Sequence, residues 1–273
     1  MVNDIVNDLT LTHLKPAETR LAAILARPKP VAIFCVAALA VLGWSACGLM
    51  LAGPKDAWLD ALCQPALGRE LGLRDAALVL AMWSAMTLAM MLPTAGPMIL
   101  TYAEIADTAA RKAERVVSPM VLTSGYAAIW LGFALVASLL QMLLASSAPS
   151  YVAIVQASLA GSIFLVAGLY QFSSLKQACL TLCQRPFPFF FANWTTAPRG
   201  VFALGLRQGL YCLGCCWALM LVMFAVGTMN VLWMAVLGVV MTVEKMSTTA
   251  RFACTVGVAF VAIGIALIAM EFN

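Results

Sequence analysis

Apolar runs, most of them near the ~20 residues needed to cross a bilayer, alternate with short polar segments along nearly the whole chain. They fall at residues 31–51, from 76 onward, and at 119–144, 151–172, 206–228, 231–243 and 252–270. The pattern predicts an all-α fold, a polytopic transmembrane helix bundle of seven spans. The sixth run is short of the usual crossing length, so that helix is expected to tilt or to be buried among the others. The second reaches Pro93 at about its seventeenth residue, with Gly96 and Pro97 just beyond. Proline removes a helical donor and crowds the preceding turn, so this helix is expected to be broken at Pro93. Such a break is tolerated at membrane depth only where protein or a polar cavity covers it.

Residues 1–30 form a polar leader. Its Ala/Leu-rich stretch at 21–26, beside Arg20, Arg27 and Lys29, suits a short interfacial helix. Asp4, Asp8 and Glu18 precede the first apolar run, which argues against a cleaved signal peptide. Residues 31–273 then make a single bundle. The composition agrees: 63% hydrophobic and 10% charged residues over 273, with a mean hydropathy of +0.97, is more apolar surface than a soluble domain could hide.

The net charge of +4 informs mainly through its distribution. With the N-terminus inside, the inner segments hold thirteen Lys and Arg residues and the outer ones only Lys55, Arg69 and Arg74. The positive-inside rule therefore places the N-terminus in the cytoplasm and the C-terminus outside. The lipid bilayer is the expected surrounding, and no nucleic-acid partner is expected.

The densest chemistry lies in the stretch from Gly205 to Lys245, where Cys212, Cys215 and Cys216 fall within five residues. On a helix Cys212, Cys216, Met220 and Met223 follow at spacings of four, four and three, which places two thiols and two thioethers on one face with Cys215 at its edge. Thiolates and thioethers are soft ligands that select Cu(I), or zinc and iron–sulfur centres where enough thiolates meet. Cys and Met also serve as plain apolar filler, which is the ordinary reading of any one of them alone. Cys179 and Cys183 form an i, i+4 pair in the inner segment before this stretch, and Met82, Met86, Met90 and Met91 climb the second span. Seven spans bring all of them toward the inner leaflet, and that convergence favours a metal or thiol site. Cys35, Cys47, Cys63 and Cys254 are scattered and read as structural, and His13, the single histidine, as solvated. Glu244 and Lys245 read either as an ion pair at a helix end or as a plain solvated terminus.

Other chemistries lack their residues. There is no GxxxxGK[ST] phosphate loop and no HExxH, and one histidine cannot build a haem site. The spans hold almost no carboxylates, which a proton- or sodium-coupled transporter would place there, and no acid–base enzyme is indicated.

Three blocks carry a family resemblance: MWSAMTLAMMLPTAGPM, Met82 to Met98; QFSSLKQACLTLCQRP, Gln171 to Pro186; and GLRQGLYCLGCCWALM, Gly205 to Met220, followed by VGTMNVLWM and the closing Glu244-Lys245. In these the chain resembles a family of predicted metal-binding integral membrane proteins, a domain of unknown function lately labelled copper chaperone. The resemblance implies Met86, Met90, Met91, Cys179, Cys183, Cys212, Cys215 and Cys216 as candidate ligands. Two positions depart from it: Ser173-Ser174 stands where the family has Thr-Pro, and Gln208 where it often has histidine.

The leading reading is an inner-membrane protein that binds Cu(I) through Cys212, Cys215, Cys216, Cys179, Cys183, Met86, Met90, Met91 and Met220. It would pass the ion to a membrane copper enzyme or exchange it with a soluble copper carrier. A second is thiol redox chemistry at the Cys212–Cys215 CxxC, taken as lying at a helix start where the dipole favours thiolate. A third is a non-catalytic membrane subunit, since Gly125, Gly132, Gly161, Gly168 and Gly264 permit close helix approach. A shared copper site would require the second and fifth spans to pack side by side, with methionine and cysteine sulfurs facing one centre.

Overall fold

The computed structural model describes residues 72–112, 114–147, 152–226, 230–247 and 250–271, with scattered helical positions between 34 and 48. The expected leader, the limits of the first span, and Cys35, Cys47 and Cys63 lie outside the described residues. Eight helices follow in order: α1 (Leu73–Arg111), α2 (Pro119–Ser147), α3 (Val152–Tyr170), α4 (Ser174–Gln184), α5 (Pro186–Ala192), α6 (Pro198–Val226), α7 (Val231–Met246) and α8 (Arg251–Glu271). No strand occurs among the described residues.

Four helices, α1, α2, α6 and α8, are long and apolar enough to cross a membrane. A fifth crossing follows if α3 and α4 count as one span bent by 64°. This fits a multi-pass membrane protein. The described spans number four to five, against the seven expected over the whole chain. α7, with 16 residues, is short as expected. Its buried face is Met234, Leu237, Met241 and Glu244, while Leu232, Val236, Val239 and Met246 point outward. α2 repeats the pattern, with Leu122, Tyr126, Trp130, Ala134 and Ala137 turned to the core and Leu131, Leu135, Val136 and Leu139 exposed. An apolar outer face is what a lipid surrounding requires.

Two expectations are corrected. α1 is not broken at Pro93: it runs through Pro93 and Pro97 as one helix of 39 residues. The polar groups around the prolines are held by side chains. The Thr94 and Tyr126 hydroxyls both donate to the Met91 carbonyl, at 2.9 and 3.1 Å, and the Thr101 hydroxyl donates to the Pro97 carbonyl at 2.8 Å. The carbonyls that the two prolines leave without a helical donor are those of Ala89 and Pro93, and these hydroxyl bonds fall on other carbonyls of the same stretch. The second correction concerns α6, which begins at Pro198 rather than near residue 206. Proline at the first helical position loses nothing there, and the polar GLRQG sequence continues the helix outward from the apolar run.

α2 joins α1 to α6. Both α1 and α6 pack against it, and α6 also packs on α3 and α4, while α3 and α8 pair along their length. The α2–α6 crossing depends on Gly125 and Gly205. A Cβ at Gly205 would collide with the Leu122 carbonyl oxygen, and the Gly125 Cα would lie 3.1 Å from it. Backbone meets backbone here because neither residue carries a side chain. α1 and α6, by contrast, make only slight backbone contact with each other, so the side-by-side packing expected of the second and fifth spans is replaced by a common seat on α2. Their side chains meet where Trp83 stacks on Phe224, ring centres 4.9 Å apart.

α4 starts at Ser173, whose hydroxyl accepts from the Lys176 amide at 3.1 Å, an N-cap. This gives the first departure from the family pattern a local role. Asn230 caps α7 in the same way, accepting from the Trp233 amide at 3.2 Å.

Candidate metal centre

On α6 the CxxCC spacing turns three thiols to one side of the helix. The sulfurs of Cys212, Cys215 and Cys216 all lie within 4.8 Å of one another, each residue at most 2% exposed. The Cys215 and Cys216 sulfurs are 3.3 Å apart, and the Cys215 thiol donates to the Cys212 carbonyl at 3.2 Å. Cys183, from α4, is partly buried and packs against the same core. Three thiols of one helix thus meet in the core, with Cys183 of α4 packed at its margin. Cys179 is set apart from them, its sulfur packed on the backbone of Gly214, where an added Cβ would lie 2.6 Å away. The Gly214 carbonyl is held from the other side by the Tyr170 hydroxyl, whose ring packs edge-on to Trp217.

The three α6 cysteines stand fourteen residues into the helix, from Pro198 to Cys212, and not in its first turns. The helix-start basis for lowered thiol pKa values, offered for a redox role, is therefore corrected. A cooperative dipole effect falls off within the first turn.

Met86, Met90, Met91 and Met220 are all fully buried, at 1%, 2%, 0% and 0% exposure. The link from the methionine helix to the thiols that the structure displays runs through the Met91 backbone. The Tyr126 hydroxyl joins the Met91 carbonyl to the Cys212 sulfur, at 3.1 and 3.0 Å. Removing that hydroxyl by Tyr126→Phe should leave the protein folded and lower its stability by about 1–2 kcal/mol, the range for a buried hydrogen-bonding group. Thermal unfolding in detergent measures it, and an unchanged midpoint would show that the hydroxyl contributes nothing.

Of the two charged residues in the last turn of α7, Glu244 is buried and Lys245 partly buried. Glu244 and Lys245 do not pair with each other. Glu244 is 2% exposed and pairs with Lys176 at 2.8 Å, both side chains 1% exposed. Lys245 instead donates to the Thr94 hydroxyl at 2.6 Å and to the Cys212 sulfur at 3.0 Å. Gln184 adds a bond from its amide to the Glu244 carbonyl at 2.9 Å. Gln208, one turn before Cys212 at the second position of family departure, is 2% exposed, and its amide nitrogen has no partner. The available signal was chemical: a lysine closing an apolar helix and a lone tyrosine inside another both need polar partners once buried.

Soft donors gathered in a buried pocket, with a cation and hydroxyls oriented on one of them, define a helical membrane-type protein with a thiol centre suited to a soft metal ion. Residues 80–267 match the family described as PpoB2, copper chaperone. That match covers more than half of the chain, and the protein belongs to this family. Neither the curated proteins nor the solved structures hold a significant match to it.

Proposed function

We propose that the protein binds Cu(I) as cargo within the cluster formed by Cys212, Cys215 and Cys216, and passes it on within or at the inner membrane. The observation that carries this is the buried trio of thiols within 4.8 Å. Buried sulfur donors within reach of one another suit Cu(I), which accepts low coordination numbers from thiolates. Cys179 and Cys183, both partly buried, lie one turn apart on α4, which packs against α6. Ligand exchange from Cys179 to Cys183 to the α6 cysteines offers a route by which the ion moves without release. Met86, Met90, Met91 and Met220 supply the surrounding soft, apolar wall. The recipient is a membrane copper enzyme, and a soluble copper carrier is the natural donor or acceptor on the other side of the exchange.

The orientation with the N-terminus in the cytoplasm is read from the seven-span pattern of the sequence. Lys176 and Lys245 have interior partners and drop out of the thirteen inner charges, which leaves eleven against three.

Full-length protein purified anaerobically in detergent and loaded with Cu(I) should retain about one ion per chain against dialysis with a moderate chelator. The double variant Cys212→Ser/Cys216→Ser should retain almost none. Equal retention by the two proteins would overturn the copper reading. Alkylation with and without reductant separates the redox alternative. A copper carrier shows thiols protected by the metal, whereas a redox protein shows a reversible disulfide between two fixed positions.

A further inference from the structure

Of the three charges just described, Lys176 and Glu244 cancel one another in a contact of 2.8 Å. Lys245 is the remainder. Among the described residues it has no carboxylate partner; its ammonium bonds only to the Thr94 hydroxyl and the Cys212 sulfur. The pocket of thiols therefore contains one fixed, uncompensated positive charge.

From this geometry we infer that Lys245 is the counter-cation of the bound complex and limits it to two thiolates. The inference rests on the copper reading above. Cu(I) held by two thiolates carries a net charge of −1, which one ammonium neutralises. A third thiolate would raise the complex to −2 and leave the site with a net negative charge. In a low-dielectric interior such an excess is costly, and it is avoided where a neutral alternative is at hand. Cys212 is then one of the two thiolates, because its sulfur is the one that Lys245 already touches. The Thr94 hydroxyl, itself held on the Met91 carbonyl at 2.9 Å, fixes the ammonium in place. Lys245 is a positioning residue: it sets charge and ligand number without itself binding copper.

The test uses full-length protein in detergent, loaded anaerobically with Cu(I), as wild type, Lys245→Met and Lys245→Arg. X-ray absorption at the copper edge counts the sulfur ligands, and competition with a Cu(I) chelator gives relative affinity. The wild type should show two sulfur ligands. Lys245→Met, which keeps length and removes charge, should bind at least about tenfold more weakly, a modest fraction of what a close charge pair supplies in a protein interior. Lys245→Arg should recover most of that loss. Three sulfur ligands at thiolate bond lengths in the wild type would overturn the inference, and this measurement needs no variant to fold. Undiminished affinity in a folded Lys245→Met would overturn it as well. Both results leave the copper reading standing. If the wild type holds no more copper than Cys212→Ser/Cys216→Ser, the copper reading fails and takes this inference with it.

Discussion

Gly205→Leu is expected to destabilise the protein by about 3 kcal/mol or more, beyond the usual cost of overpacking a core by one side chain. The side chain would start in contact with the Leu122 carbonyl oxygen and lie 3.0 Å from the Leu122 carbonyl carbon and 3.1 Å from the Gly125 Cα. All three are backbone atoms, so no rotamer change relieves the clash. α2 and α6 would have to move apart, and with them the contacts that carry Tyr126 to Cys212. Gly205→Ala should show a smaller loss of the same sign. Gly132, on the same α2 helix, has nothing within 4 Å of an added Cβ, and Gly132→Ala should be neutral or slightly stabilising through helix propensity. Thermal midpoints in one detergent compare the three. A Gly205→Ala protein as stable as the wild type would mean that the crossing is looser than described.

Lys176→Met is expected to cost about 3–5 kcal/mol, the range for removing one partner of a buried ion pair. Glu244 would be left ionised in the core with no cation, and one of its carboxylate oxygens already lacks a partner. The pair itself adds less than this figure suggests, because burying two charges offsets most of their attraction. Lys176→Met/Glu244→Leu should therefore recover most of the loss. A double-mutant cycle read by thermal unfolding gives the coupling directly. Additive single-variant losses would show that the two side chains act independently. The experiment also bears on the thiols, since Lys176 stands on the helix that carries Cys183 and Glu244 on the helix that carries Lys245.

The long helices were legible because lipid imposes a simple rule, an apolar outer face of sufficient length. Residues 119–144 and 252–270 lie within the helices observed, Pro119–Ser147 and Arg251–Glu271. Hydropathy marks where the apolar run ends and not where the helix ends. α6 therefore began eight residues earlier than its apolar run, at Pro198 against 206. The proline pair misled for a related reason. Whether a proline breaks a membrane helix depends on what packs around it, and Tyr126, which bonds the Met91 carbonyl in this stretch, comes from thirty-five residues away along the chain. Cys212, Cys215 and Cys216 share a helix face by local periodicity alone, so their grouping could be read from spacing. Lys245, Thr94 and Tyr126 reach them from three other helices. Nothing local tells a lysine that closes a helix in water from one that turns back into a bundle.

The adjacency of Glu244 and Lys245 has a mechanical consequence. Neighbouring residues on a helix point about 100° apart, so the last turn of α7 engages two sides at once, like a key with two teeth. One tooth seats in α4 through Lys176, and the other seats between α1 and α6 through Thr94 and Cys212. A rotation of α7 that freed the ammonium from the sulfur would also pull the carboxylate from Lys176. The helix bearing Cys183 and the helix bearing the other thiols are in this way latched to one part, and they engage or release in step.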